Sequence, residues 1–227
     1  MMAGRRFDDR DDGPHPDAAT EEWVFTAWLG DGSAGLVSGY RTHRAGDRRH
    51  AGWYWAALAR RGEPLLHVTE WDVTPRPDAL LVKAHGLWAE HVCDAPMEQW
   101  TIANETYAVA LDDPDEALGR AYGAPSAVAF DLEWYAGGPP LPLPGGDGYE
   151  QTGVVHGLVE LPRGPLHLTE APSRRWHRWA AELDALVVPA AYAHTGLRAP
   201  FAFPDGTVSD WVLTPDGWRS RAPADPR

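Results

Sequence analysis

The chain has 227 residues, a formal net charge of −13 and twelve tryptophans. A strongly negative protein is poorly suited to nucleic acid and to anionic membrane surfaces, because both are polyanions that require basic patches. Hydrophobic residues make up 44% and charged residues 23% of the chain, which predicts a globular protein with a substantial core. We therefore expect neither nucleic-acid binding nor membrane insertion.

The cysteine content and the apolar runs indicate the compartment. Cys93 is the single cysteine, so no internal disulfide forms and a reducing cytoplasm is the expected location. The first twenty residues contain no apolar stretch of the secretory type. The longest apolar run, residues 185–193, is broken by Pro189 and is too short to span a bilayer.

Composition divides the chain into five segments. Residues 1–20 are charged and contain few large apolar side chains, which predicts a disordered arm. A first β-unit is expected over residues 21–135, a Pro/Gly-rich loop over 136–148 and a second β-unit over 149–220. Residues 221–227 are predicted to form a Pro-containing tail.

The two β-units consist of short runs such as EEWVFTAWL, AGWYWAALAR and EQWTIANETYAVAL, which are rich in Trp, Val, Tyr and Thr and are separated by turn residues. Many short strands at near-regular spacing predict a mainly β fold, either a sandwich or a barrel. One short helix is predicted near residues 113–122. Asp113 can cap it, Pro114 suits its first position, and Glu116 completes a capping box.

The segment SRRWHRWAAEL, which starts at Ser173, has a helical periodicity. As a helix it would place Trp176, Trp179, Leu183 and Leu186 on one apolar face. Periodicity alone therefore favours an amphipathic helix with a stripe of tryptophans in this part of the chain.

Motifs for metal and hydrolase sites are absent from the sequence. The ten histidines form neither H-x-H nor H-E-x-x-H, and neither G-x-S-x-G nor a P-loop occurs. The acidic run DDPDE at residues 112–116 is similar to aspartate-rich clusters that bind metal and diphosphate, but capping of the predicted helix explains the same residues. Acidic neighbours raise the pKa of a thiol, so Cys93 is expected to be structural. We therefore predict no metal and no cofactor.

Polar groups alternate with apolar side chains in two predicted strands. In EQWTIANETYAVAL, Trp100 and Asn104 share one face and Glu105 lies on the other. In AFDLEW, Asp131 and Glu133 share a face. These carboxylates either form a solvent-facing row or supply acids to a cavity lined by aromatic side chains. In such a cavity a desolvated carboxyl group has a raised pKa and can protonate a substrate, and tryptophan faces stabilise a developing carbocation.

Three motifs carry a resemblance to a known family. EEWVFTAWLGDGSAG resembles the E-W-W-x-F…L-x-D-G opening of the AttH and hydroxyneurosporene synthase (carotenoid 1,2-hydratase) superfamily, and GYEQTGVVHGLVEL resembles its later E-Q-x-G-x-V-x-G pattern. In SRRWHRWA, the residues Arg175, His177 and Trp179 match the pattern R-D-H-S-W-G that follows. The resemblance implies a lipocalin-like barrel or sandwich, in one barrel or in two packed β-units. It also implies that the segment from Ser173 lies near a strand facing a cavity, rather than in a helix.

The resemblance further implies a protein that binds a hydrophobic small molecule of the isoprenoid or polyketide type. If the protein is an enzyme, the reaction expected is a cofactor-free acid/base hydration, isomerisation or cyclisation. The candidate catalytic residues are Glu105, Asp131, Glu133, His156 and His177. The candidate ligand-binding residues are Trp23, Trp100, Asn104, Gln151, Arg175 and Trp179. Two alternatives stay open: a carrier without chemistry, and a Trp-rich protein–protein interaction module.

Overall fold

The computed structural model describes residues 6–45, 49–76, 79–145, 148–184, 186–187 and 196–221. Its strands are β1 (Thr20–Trp28), β2 (Ala34–Ala45), β3 (Arg49–Arg60), β4 (Leu65–Val73), β5 (Leu80–Ala84), β6 (Leu87–Ala95), β7 (Gln99–Leu111), β8 (Ala124–Ala136), β9 (Leu141–Pro142), β10 (Gly148–Glu160), β11 (Leu166–Ala180), β12 (Arg198–Ala202), β13 (Val208–Thr214) and β14 (Gly217–Arg221). Asp9–Asp11 and Pro114–Leu118 form short 3-10 helices. Over these ranges no helix is both long enough and apolar enough to cross a membrane.

Eight strands close into an antiparallel barrel in the order β1, β2, β3, β4, β7, β8, β10 and β11, with β11 returning to β1. The ring closes where Leu65, Leu66 and His67 of β4 pair with the end of β7. The rest of that edge of β7 pairs with β6, so the β5–β6 hairpin extends the sheet beside the closure. A mainly β, lipocalin-like barrel is therefore confirmed, and eight strands leave an interior that side chains or one small ligand can fill.

Strands from both predicted β-units share this one barrel. β1 pairs with β11 from Thr20 opposite Ala180 to Ala27 opposite Ser173. The predicted Pro/Gly loop contains β9 and connects β8 to β10, which are themselves paired. Strands from residues 21–135 and 149–220 therefore pair within one continuous sheet. Residues 222–227 of the predicted tail lie outside the described residues.

The helical expectations are corrected in two places. The segment from Ser173 continues β11 as far as Ala180, so the predicted tryptophan-striped helix is wrong and the strand implied by the family resemblance is right. The helix predicted near residues 113–122 is a single 3-10 segment, Pro114–Leu118. Asp113 caps it as predicted, because its side chain accepts a hydrogen bond from the backbone N–H of Asp115.

Side chains alternate between the barrel interior and an outer apolar layer. In β1, Trp23 and Phe25 face the interior, whereas Val24 and Trp28 face outward. The outward side chains do not meet solvent, because a three-stranded sheet of β12, β13 and β14 packs over them. Trp218 of this sheet donates its indole N–H to the carbonyl of Ala27 at 3.1 Å. Both faces of β1 are therefore buried.

Close packing in the outer layer depends on a glycine in β2. Gly39 pairs with Trp55 of β3, and the Trp55 indole lies across the glycine backbone. A Cβ atom at this position would stand 2.2 Å from the indole ring. Glycine in a strand interior thus marks a close approach here, rather than a turn.

A buried histidine links the barrel to the outer sheet and makes stability depend on pH. His67 of β4 lies 3.1 Å through Nε2 from the carbonyl of Pro200 and stacks on Phe201 at 4.9 Å between ring centroids. Burial lowers the pKa of His67 from 6.5 to about 4, so the folded protein keeps this ring neutral under conditions where the unfolded chain protonates it.

We expect His67→Gln to weaken the loss of stability in acid. The contribution of His67 is fully present above the unfolded pKa of 6.5 and is lost as the pH falls through the folded pKa of about 4. Between pH 7 and pH 4 the wild-type free energy of unfolding should therefore fall by about 3 kcal/mol more than that of the variant. Urea unfolding at both pH values measures the difference. If the free energy of unfolding fell by the same amount between pH 7 and pH 4 in both proteins, this account of His67 would be contradicted.

Candidate functional site

The predicted site residues fall into two groups, one inside the barrel and one on its outer surface. The side chains inside are those of Trp23, Trp100, Asn104, Gln151, Arg175 and His177, each at most 2% exposed. Trp179 is half-buried next to them. The outer group is Glu105, Asp131 and Glu133, which are exposed, and His156, which is half-buried. The fold thus gathers the predicted ligand-binding residues with His177, and it keeps the three predicted acids and His156 away from them.

Strand alternation explains why the predicted acids lie outside. In β7, Trp100 and Asn104 face the interior, so Glu105 faces the solvent. Glu105 borders a surface groove of about 740 Å3 together with Trp88 and Tyr107. The same alternation turns the two acids of β8 outward. Of the two interpretations of these carboxylates, the placement agrees with a solvent-facing row.

A buried ion pair fills one end of the barrel, at the start of β1 and β10 and the end of β11; we call this end the barrel mouth. Asp12, from the segment predicted to be disordered, is fully buried and accepts a hydrogen bond from Arg175 Nη1 at 2.5 Å. The same carboxylate accepts from the Tyr149 hydroxyl at 2.6 Å and from Trp100 Nε1 at 3.1 Å. The backbone N–H of Met97 donates to it at 2.5 Å. The N-terminal segment is therefore held across the mouth by side chains from three strands and by the backbone of a turn.

Arg175 is held equally closely on its other side. Its Nε and Nη2 atoms donate to Gln151 Oε1 at 3.0 and 2.6 Å, and its guanidinium lies 4.8 Å from the centroid of the Trp134 ring. Burial alone would raise the pKa of Asp12, but the charge of Arg175 and the hydrogen bonds from Arg175 and Tyr149 outweigh burial and lower that pKa. Asp12 is therefore a carboxylate at neutral pH.

A second carboxylate at the mouth joins two histidines. Glu21 Oε1 lies 2.7 Å from His15 Nδ1 and 2.8 Å from His177 Nε2. The backbone N–H of His15 also donates to both oxygens of Glu21. His177 is fully buried, and the side chains of Glu21 and His15 are 5% and 21% exposed. The ligand atoms of these three residues lie within 4.8 Å of one another, so the group is able to hold a metal ion.

Aromatic rings fix the orientation of both imidazoles. Trp23 stacks on His177 with 4.7 Å between centroids, and Trp179 stacks on His15 with 3.9 Å. Burial lowers the pKa of His177, although the carboxylate of Glu21 opposes that shift. Burial would raise the pKa of Glu21, but hydrogen bonds from the two histidines lower it. The ionised carboxylate is therefore the stable form of Glu21.

A cavity of about 210 Å3 adjoins this polar network. Its lining includes Trp23, Leu80, His91, Cys93 and Trp100, and residues 12–14 border it. The walls are mainly apolar or aromatic, as in most small-molecule sites. Cys93 does not add a nucleophile, because burial and the neighbouring Asp12 raise the pKa of its thiol to about 12.

Two of the residues that line the cavity each have a buried ring nitrogen without a hydrogen-bond partner among the described residues. They are Nε1 of Trp23 and Nδ1 of His91. The other ring nitrogen of His91 lies 3.0 Å from Ser38 Oγ. Burial lowers the pKa of His91 to about 3, so its ring is neutral. Deeper in the barrel, Asn104 donates to the Tyr54 hydroxyl at 2.7 Å.

Several residues of this site were not among those predicted. They are Asp12, His15, Glu21, His91 and Tyr149. Glu21 and Tyr149 lie within two of the three motifs that carry the family resemblance. Strand alternation could also have predicted that Glu21, two residues before the inward-facing Trp23, faces inward as well. Asp12 carries no such signal, because its side-chain partners Trp100, Tyr149 and Arg175 lie 88, 137 and 163 residues away in the chain. His15 pairs with Glu21 only six residues further on, but it lies outside the strands, where alternation gives no signal.

Together the fold and the site define a closed antiparallel barrel with a small cavity beside a buried, charged mouth. No family model and no curated protein matches the chain. Among solved structures it is similar to a Nitrosomonas europaea protein provisionally named AttH, at 14% identity and a TM-score of 0.38, over 98% of this chain and 74% of that one. A likeness of this size does not carry a function from one protein to the other.

Proposed function

We propose that the barrel binds a small, mainly apolar molecule that carries one hydrogen-bonding group. The observation on which the proposal depends is the cavity of about 210 Å3 whose walls include two buried nitrogens, on Trp23 and His91, without partners among the described residues. A buried polar atom without a partner costs about 1–3 kcal/mol, which a ligand that supplies the missing hydrogen bond recovers.

The size of the cavity limits the ligand. An apolar cavity of about 150 Å3 in another protein binds benzene, so about 210 Å3 suits a somewhat larger molecule. A ten-carbon isoprenoid alcohol or a two-ring aromatic alcohol has the appropriate size. Long polyenes of the carotenoid type do not fit within this volume.

The polar atoms of the cavity favour a hydroxyl group on the ligand. Trp23 Nε1 only donates, so it requires an oxygen acceptor. His91 is neutral, and its free nitrogen donates or accepts according to how the other nitrogen pairs with Ser38. A hydroxyl accepts from the indole and is able to satisfy the imidazole in either state.

The ionisable groups beside the cavity support binding rather than acid catalysis. Hydration or cyclisation of an alkene requires a proton donor, which a carboxyl group with a raised pKa supplies. The pKa values of Asp12 and Glu21 are both lowered, so these two groups are ionised and already paired. Among the described residues, Glu105, Asp131 and Glu133 face away from the cavity.

The tryptophans give little support to an interaction module. Nine of the twelve are buried and the remaining three are half-buried. An interaction surface built on tryptophan requires exposed rings in a contiguous apolar patch. Burial of these rings in the barrel and in the outer layer instead supports their role in packing and in forming the walls of the cavity.

Calorimetric titration with geraniol, 2-naphthol and myrcene tests the proposal. We expect saturable binding of the two alcohols by the wild type and no binding by Leu80→Trp, which fills the cavity. Leu141→Trp is the matched control, because Leu141 is exposed, and it should bind like the wild type. If none of the three compounds binds the wild type, or if Leu80→Trp binds them unchanged, the proposal is wrong.

The hydroxyl contribution is a separate prediction. Geraniol should bind about 5-fold more tightly than the hydrocarbon myrcene, because one additional hydrogen bond contributes about 1 kcal/mol. His91→Leu should reduce this ratio, since it removes a nitrogen that faces no other partner in the described chain. Equal affinities of the wild type for both compounds would show that these nitrogens do not recognise a hydroxyl group.

A further inference from the structure

We propose that His15, Glu21 and His177 form a binding site for one divalent transition-metal ion of the zinc type, with a fourth coordination position open. This inference goes beyond the proposed function, because it uses none of the polar atoms assigned to the apolar ligand. It also departs from the sequence-based expectation of no metal, since the two histidines are far apart in the chain and form no motif.

The three donor groups are of the kinds that bind zinc in proteins. Two imidazoles and one carboxylate bind catalytic zinc in several enzymes and leave a position for water or substrate. The same set with open positions also binds non-haem iron. Here the three side chains come from the N-terminal segment, the start of β1 and the end of β11, so the barrel itself brings them together.

The distances are compatible with a metal ion after small movements. Ligand atoms around a tetrahedral zinc ion stand about 3.4 Å apart, from metal–ligand bonds of about 2.1 Å. Glu21 Oε1 lies 2.7 and 2.8 Å from the two imidazole nitrogens, and all three atoms are within 4.8 Å of one another. The carboxylate must move away slightly, and the nitrogens must approach each other. His15 lies outside the barrel strands, so it is the ligand best able to move.

The surroundings already provide the second layer of contacts that metal sites require. Coordination through Nε2 of His177 leaves a proton on Nδ1, and the Tyr149 hydroxyl oxygen lies 3.5 Å from that atom. Because Tyr149 donates its own proton to Asp12, its oxygen is free to accept. The stacked rings of Trp23 and Trp179 restrict both imidazoles, and the backbone N–H of His15 orients the carboxylate.

Local charge also favours a cation. Glu21 has no arginine or lysine partner among the described contacts of this site, and only the two histidines face it. The nearest buried arginine, Arg175, is already compensated by Asp12. A metal dication would therefore meet one carboxylate without a cationic partner and two imidazole donors, in a site that is mostly buried.

Titration of the full-length, tag-free, EDTA-treated protein with zinc chloride at neutral pH tests the proposal. We expect one zinc ion per chain with a micromolar or lower Kd, and visible absorption bands of a four- or five-coordinate ion when cobalt replaces zinc. His15→Ala and Glu21→Gln should each weaken binding at least 100-fold. His156→Ala, which removes a histidine from the outer face, should bind like the wild type.

The outcomes separate this proposal from the apolar-ligand proposal. Absence of zinc binding, or unchanged binding by both His15→Ala and Glu21→Gln, would show that there is no metal site here. The three residues would then be a hydrogen-bonded cluster that holds the N-terminal segment against the barrel. Circular dichroism verifies that each variant is folded, and His15→Ala is the decisive variant because His15 is the most exposed of the three. Geraniol binding is measured on metal-free protein, so its failure would leave the metal result intact.

Discussion

Replacing Arg175 with methionine should lower the free energy of unfolding by about 3–5 kcal/mol, because the substitution leaves the buried Asp12 carboxylate without its cation. Asp12 is fully buried and Arg175 is 1% exposed, so water cannot replace the lost partner. Urea unfolding followed by tryptophan fluorescence measures the effect. This is the largest single loss that we expect in the interior of the barrel.

The matched controls separate a buried charge from a simple loss of arginine. Arg163→Met removes an exposed arginine that contacts Glu63 at 3.3 Å, and it should change stability by less than about 1 kcal/mol. The double variant Asp12→Asn/Arg175→Met should be more stable than Arg175→Met alone, since no unpaired charge remains. If Arg175→Met lowers the free energy of unfolding no more than Arg163→Met does, the N-terminal segment does not close the barrel mouth through the Asp12–Arg175 pair.

Replacing Glu22 with glutamine should cost a similar amount, about 3–5 kcal/mol, on the outer face of the same strands. Glu22 is 2% exposed and accepts hydrogen bonds from Arg41 Nε at 2.8 Å and from Arg178 Nε at 3.0 Å. The substitution leaves two buried guanidinium groups without their shared carboxylate. Glu150→Gln is the control, because Glu150 is partly exposed and lies 3.9 Å from Arg174.

The contribution of Glu22 to stability should decrease in acid. Burial would raise the pKa of Glu22, but the charges of Arg178 and Arg41 hold it below its ordinary value of 4.5. The contribution of Glu22 is therefore complete above pH 4.5 and is lost as the pH falls through the lower, folded pKa. The stability difference between wild type and Glu22→Gln should narrow in strong acid. A difference that stays constant down to the lowest pH would contradict the proposed pairing.

The strand content and the barrel could be predicted because alternation and turn residues are local properties of the chain. The inner and outer faces could not be distinguished in the same way. In β7 both faces contain polar residues, and only the closed barrel shows that Trp100 and Asn104 face inward while Glu105 faces the solvent. A carboxylate without a partner takes the solvated side, since its burial is costly.

The end of β11 was difficult to predict for a related reason. Arg175 and His177 face the interior, and Trp176 and Arg178 face the outer layer, yet all four are buried. A strand covered on both faces has no polar–apolar alternation, so its tryptophans imitate the spacing of an amphipathic helix. The family resemblance corrected that interpretation because it depends on residue identity rather than on periodicity.

The N-terminal segment shows the limit of composition. Few large apolar side chains predicted disorder, because such a segment cannot bury enough surface by itself. Its order comes instead from Asp12 and His15, which satisfy polar groups of β1, β7, β10 and β11. Contacts of that kind depend on the assembled barrel and cannot be predicted from the segment alone.

The most direct test of the central claim, that the cavity at the barrel mouth binds an apolar alcohol, is an NMR titration of the indole N–H resonances with geraniol. We expect saturable shifts for Trp23 and Trp100, which line the cavity, and none for Trp211 and Trp218 in the outer layer. Assignment uses single Trp→Phe variants. Unchanged resonances of Trp23 and Trp100, with shifts confined to Trp88 in the surface groove, would contradict the claim.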